Sequence, residues 1–158
     1  MSAHTIYDNA PIGSLVAWSD GTPRPPERFT RKLFAWHTLN SKGRLIQKQG
    51  ERGIGSVGLS ASFTLHEADY GGGGVIAIRV HRTFSIDSKL HFAILERPAI
   101  GAVRIFDRAG PGAELVHLAA HRQAADQWFS RHGYPRAVLE EVTADEVGAD
   151  VVEGRTVA

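Results

Sequence analysis

Cysteine is absent from the 158 residues. That removes disulfides, cysteine-ligated zinc, iron–sulfur clusters and thiol nucleophiles together, and it fits a reducing compartment. Long apolar runs are missing too. No stretch approaches the roughly 20 apolar residues that cross a bilayer, and the most apolar segment, Val75 to Val80, already holds Arg79. Residues 1–10 carry His4, Asp8 and Asn9 without a charged start and an apolar run, so they do not read as a signal peptide. The expectation is a cytoplasmic protein with no membrane partner. A compact domain of this length buries roughly 70% of its unfolded surface and needs no metal or disulfide to hold it together. The expected organisation is one domain over residues 1–143 and an acidic, flexible tail over 144–158.

The usual cofactor and catalytic signatures are lacking as well. Gly53-Ile-Gly-Ser-Val-Gly58 spells a dinucleotide-loop pattern. Such a loop needs a strand before it and a helix opening at it, and the segment that follows is too short for that helix. The glycines 71–74 lead into a strand, and no Gly-Lys-Ser/Thr follows them, so they are not a phosphate loop. Ser56 lacks the glycine spacing of a nucleophile elbow. His117 and His121 stand four apart, but a strand-to-helix junction falls between them, and His66-Glu67 has no third ligand at a telling distance. No metal and no cofactor are expected.

Charge is present and unevenly spread. Residues 24–52 hold eight basic side chains (Arg24, Arg28, Arg31, Lys32, Lys42, Arg44, Lys48 and Arg52) against Glu27 and Glu51, a local charge of +6. Residues 137–158 hold six carboxylates against Arg155, or −5. A basic part beside an acidic end points to an anionic partner or to shielding by the tail.

Periodicity supplies the elements. Ile12 to Trp18 reads as a strand, closed by the turn Ser19-Asp20-Gly21. Phe29, Leu33 and Trp36 recur at helical spacing over 27–40, which predicts a helix with those residues in the core. A hairpin with strands near 32–39 and 44–49 reads the same residues. Residues 50–60 read as a loop and Ser62 to His66 as a strand. In 75–86, Ile76, Ile78, Val80, Phe84 and Ile86 alternate with Ala77, Arg79, His81, Thr83 and Ser85, with Arg82 the exception. Period two means a strand with one buried face. Leu90 to Ile94 continues it and Arg97-Pro98 breaks it. Strands at 102–107 and 115–119 follow, and the short connectors predict a four-strand antiparallel meander over 75–119. A helix over 120–132, capped by a left-handed Gly133, and a strand over 137–142 complete an α+β fold: an antiparallel meander sheet with one or two helices packed on one face.

If the apolar faces of that meander all point one way, Arg79, His81, Thr83, His91, Arg104 and His117 share the other. Clustered Arg and His there suit a phosphate, and His81, His91 or His117 suit acid–base chemistry on RNA. The second candidate surface is the basic segment, whose Arg24, Arg28, Arg31, Lys32, Lys42, Arg44 and Lys48 suit nucleic-acid backbone, with Phe29, Phe34 and Trp36 interleaved for stacking.

The phrases Asp20-Gly-Thr-Pro-Arg-Pro-Pro-Glu-Arg-Phe-Thr-Arg-Lys, Ser62-Phe-Thr-Leu-His and Val80-His-Arg-Thr-Phe-Ser-Ile-Asp-Ser resemble small uncharacterised proteins of alphaproteobacterial plasmids and integrative conjugative elements, encoded near antirestriction genes. The resemblance runs over most of the chain. It implies a setting of DNA maintenance, transfer or evasion of host defence, and no catalytic residue. The leading expectation is a non-enzymatic binding protein of a mobile genetic element that contacts nucleic acid through the basic segment. The alternatives are a protein-binding inhibitor or adaptor of a host defence or transfer component, and a small histidine-dependent nuclease.

Overall fold

The computed structural model describes residues 1–72 and 75–146. The last twelve residues of the expected tail, and Gly73 and Gly74 of the glycine run, lie outside the described residues. Contacts group the chain into two compact units, Met1–Arg97 and Pro98–Ala158, divided at the Arg97-Pro98 break. The class is α+β.

The first unit begins with a helix, α1 (Ala3–Asn9), which spans barely two turns and is too short to leave a periodic signal. Ser2 caps it, its hydroxyl accepting from the Thr5 N–H at 3.1 Å. Strand β1 (Leu15–Ser19), helix α2 (Thr30–Leu39) and strand β2 (Ser41–Gln49) follow. The helix and hairpin readings of this region are each realised in part, a helix running straight into a strand. Residues 50–60 form a small hairpin, β3 (Arg52–Ile54) and β4 (Val57–Leu59), turned at Gly55 with φ +62°. The dinucleotide-like pattern is therefore a hairpin turn. Strands β5 (Ser62–Gly72), β6 (Val75–Ser85) and β7 (His91–Glu96) complete a five-stranded antiparallel sheet of order β6-β5-β2-β1-β7.

This order corrects the expected meander. The strands of 75–119 are present, but β6 and β7 occupy opposite edges of the sheet, and the meander runs through β1, β2, β5 and β6 instead. Five residues, 86–90, connect the two edges. The sheet curls to bring these edges together: Phe84 of β6 and Phe92 of β7 lie 5.3 Å apart, edge to face. Phe63 touches both, Trp18 lies 5.2 Å from Phe84, and Ile6, Val16, Leu45 and Leu65 fill the space around them. The alternation along β6 holds from Arg79 to Ile86, where odd-numbered side chains are exposed and even-numbered ones half-buried. Ile78 departs from it at 60% exposure, because the hairpin end runs past the core.

The second unit is a three-stranded antiparallel sheet of order β10-β8-β9, from β8 (Val103–Phe106), β9 (Leu115–Ala119) and β10 (Val138–Glu141). Helix α3 (Arg122–Arg131) packs Ala125 with Val103, Ile105 and Ala119. His121 caps its start, Nδ1 accepting from the Ala124 N–H at 3.1 Å. Gly133 does not take the expected left-handed conformation. The helix ends instead on extended His132, whose N–H reaches the Phe129 carbonyl.

Candidate functional site

The basic segment is displayed more openly than expected. Helix α2 buries none of its residues, so the core role expected for Leu33 and Trp36 is overturned: both are half-buried, Phe29 is exposed, and Phe34 is 78% exposed. Polar anchors hold the helix in place of apolar burial. Trp36 donates its indole N–H to the Thr22 carbonyl at 3.0 Å, and Trp18 donates to Thr38 at 3.2 Å. Buried Asn40 accepts from the Ser19 hydroxyl at 2.7 Å and donates to Asp20 and to the Trp36 carbonyl. Hydrogen bonds from the Thr22 hydroxyl, the Thr22 N–H and Asn40 hold the Asp20 carboxyl below its ordinary range. Arg28 and Lys32 lie over the Phe29 ring at 4.8 and 5.1 Å. Arg31 and Lys42 are exposed, and Arg24 faces Glu27 at 3.7 Å. Arg44 is engaged inside the fold, donating to the Gly13 carbonyl at 2.6 Å, and Lys48 lies half-buried over Tyr7.

The β5–β6 hairpin gathers a second cluster. His66 pairs with His81, Thr64 with Thr83 and Asp69 with Arg79 across the two strands. His66 Nε2 lies 2.6 Å from Asp69 Oδ1, Arg79 Nε lies 3.6 Å from the same oxygen, and the two imidazoles meet edge to face at 5.6 Å. In a regular strand, residues three apart face opposite sides. A bulge at Glu67, where β5 advances two residues while β6 advances one, returns Asp69 to the face of His66. The bulged Glu67 accepts from Ser41 and Arg82 at 3.0 Å each, which accounts for an arginine on the apolar side of β6. His66, Glu67 and Asp69 were missed from the sequence as members of this cluster. The only available signal was Arg82, a charge out of phase in an otherwise apolar row.

The remaining candidates do not join that face. His91 is exposed on β7, at the other edge of the sheet. Arg104 and His117 belong to the second unit. Arg104 is 2% exposed and lies against Glu140 (3.2 Å) and Glu146, which withdraws it from the anion-contact set. The first residues of the expected flexible tail, 144–146, are helical and bring Glu146 to this contact. His117 is half-buried, its ring stacked on Trp128 at 4.8 Å, and Trp128 also stacks on His132 at 3.9 Å. Burial, then the charge of His132, pushes the His117 imidazole below its ordinary value. No helix among the described residues is long and apolar enough to cross a membrane.

A family model described as Uncharacterised conserved protein UCP036055 matches residues 1–146, all of the first unit and residues 98–146 of the second. The chain belongs to that family. No curated protein and no solved structure matches it. Membership in this family therefore spans α2, the β5–β6 cluster and the Arg104 site alike, and it assigns a role to none of them.

Proposed function

We propose that the protein binds nucleic acid for a mobile genetic element, gripping a single strand on helix α2 and the adjoining Lys42 of β2. The observation that carries this reading is a ten-residue helix with no fully buried residue, which together with its N-cap displays Phe29 and Phe34 among Arg28, Arg31 and Lys32. Neighbouring exposed rings amid cations are the kind of apolar surface that marks a binding site. Bases stack on such rings for about 1–3 kcal/mol each, and phosphates supply the partner for the charges. Unpaired bases suit the rings better than a duplex, whose bases are already stacked. The plasmid and conjugative-element setting comes from the resemblance of residues 20–32, 62–66 and 80–88.

The test is an anisotropy titration of labelled single-stranded DNA, single-stranded RNA and duplex DNA at several salt concentrations. Affinity should fall steeply as salt rises, and Arg31→Gln should reduce the slope of log K against log salt by about one. Phe34→Ala should weaken single-strand binding about tenfold and leave that slope unchanged. Absence of binding at low salt ends the reading.

A further inference from the structure

We propose that the exposed face of the β5–β6 hairpin is an acid–base centre for RNA transesterification, with His66 and His81 as the paired imidazoles. Asp69 is then the positioning residue of His66, and Arg79 the cation beside the reacting phosphate. In the neutral form of His66, a carboxylate oxygen accepting at 2.6 Å holds the imidazole proton on Nε2 and turns the Nδ1 lone pair to the substrate. That is the arrangement of an oriented general base. His81, its ring 5.6 Å away, presents a second imidazole within reach of the same phosphodiester. A plain anion-binding patch fits less well. Asp69 lies against both His66 and Arg79, cancelling charge that an anion would need, whereas a carboxylate behind an imidazole is what proton transfer needs.

In the step, His66 Nδ1 takes the proton of a ribose 2′-hydroxyl as O2′ attacks phosphorus. The P–O5′ bond breaks as protonated His81 gives its proton to the departing O5′. A 2′,3′-cyclic phosphate and a 5′-hydroxyl end result, no other reactant is consumed, and exchange with water resets both imidazoles. Arg79 faces the charge that grows on the non-bridging oxygens.

A uridylyl-adenosine dinucleotide tests this with the full chain, and it is too short to depend on α2, so failure of strand binding leaves the result readable. Cleavage should yield uridine 2′,3′-cyclic phosphate and adenosine, survive EDTA, and spare the 2′-deoxyuridine analogue. His81 is exposed, so His81→Gln should keep the melting midpoint while kcat falls about 100-fold or more. Asp69→Asn should lower kcat about tenfold at unchanged KM, with partial recovery in Asp69→Glu. No cleavage above buffer, cleavage of the deoxy analogue, loss of cleavage in EDTA, or full activity in His81→Gln would each overturn the proposal.

Discussion

Glu146 meets Arg104 fork to fork. Its Oε2 accepts from Nη1 at 3.2 Å and its Oε1 accepts from Nη2, around a guanidinium that solvent scarcely touches. Glu140 adds a contact at 3.2 Å from a side chain that is 59% exposed. Removing one partner of a buried pair strands the other charge. Glu146→Ala should therefore destabilise the C-terminal unit by about 3 kcal/mol, and Glu140→Ala by no more than about 1 kcal/mol. Urea melts read at the fluorine resonance of 5-fluorotryptophan at Trp128 would measure both. Equal effects would contradict the assignment of Glu146 as the main partner of the buried Arg104.

Asn40 ties the end of α2 to the turn after β1, and no fully buried side chain of α2 stands behind it. Asn40→Ala should cost about 2 kcal/mol in the N-terminal unit. It should also speed amide exchange across Thr30–Leu39 more than across β2 or β5.

The Asp20 carboxyl bears on the same turn. Its folded value lies below 3.8, so the stabilisation it gives is present above that pH and is lost as pH falls through the folded value. Asp20→Asn should flatten the acid limb of the melting-midpoint curve for the N-terminal unit. An unchanged limb would mean that the Thr22 and Asn40 hydrogen bonds do not favour the charged form.

His117 reverses the chemistry but not the direction. Its folded value lies below 6.5, so the unfolded chain takes up the proton first. Stability of the C-terminal unit is complete above 6.5 and declines as pH falls through the folded value. The Trp128 midpoint should drop as pH falls below 6.5, and His117→Phe, which keeps a ring against Trp128, should lessen the drop.

Gly43 sits where β2 passes β5. A Cβ there would lie 2.8 Å from the His66 carbonyl oxygen and 3.1 Å from Leu65 Cβ. Gly43→Ala should cost about 1–3 kcal/mol by forcing the strands apart. Because the clash falls on the backbone of His66, the imidazole resonances of His66 and His81 should shift as well.

Much of the architecture could be read in the chain. The alternation of 79–86 marks β6 because a pleated strand with one wet face must alternate, and the residues it turns outward, Arg79 and His81 among them, are exposed. Helix α3 was legible from Ala124, Ala125, Trp128 and Phe129. The reading of α2 succeeded as a helix and failed as a core element. Periodic aromatics signal burial only when something is packed over them, and here hydrogen bonds from Trp18, Trp36 and Asn40 take the place of packing.

Local pattern marked the strands of 62–141 and the outward residues of 79–86, since both follow from a two-residue repeat. Folding in three dimensions chose the partners. Curling of the sheet sent β7 to β1 rather than β6, and the bulge at Glu67 carried Asp69 round to His66. Burial turned Arg104 from a surface cation into the inner half of an ion pair with Glu146. Strand pairing, bulges and charge burial depend on contacts between residues far apart in the chain, and a one-dimensional repeat carries no record of those.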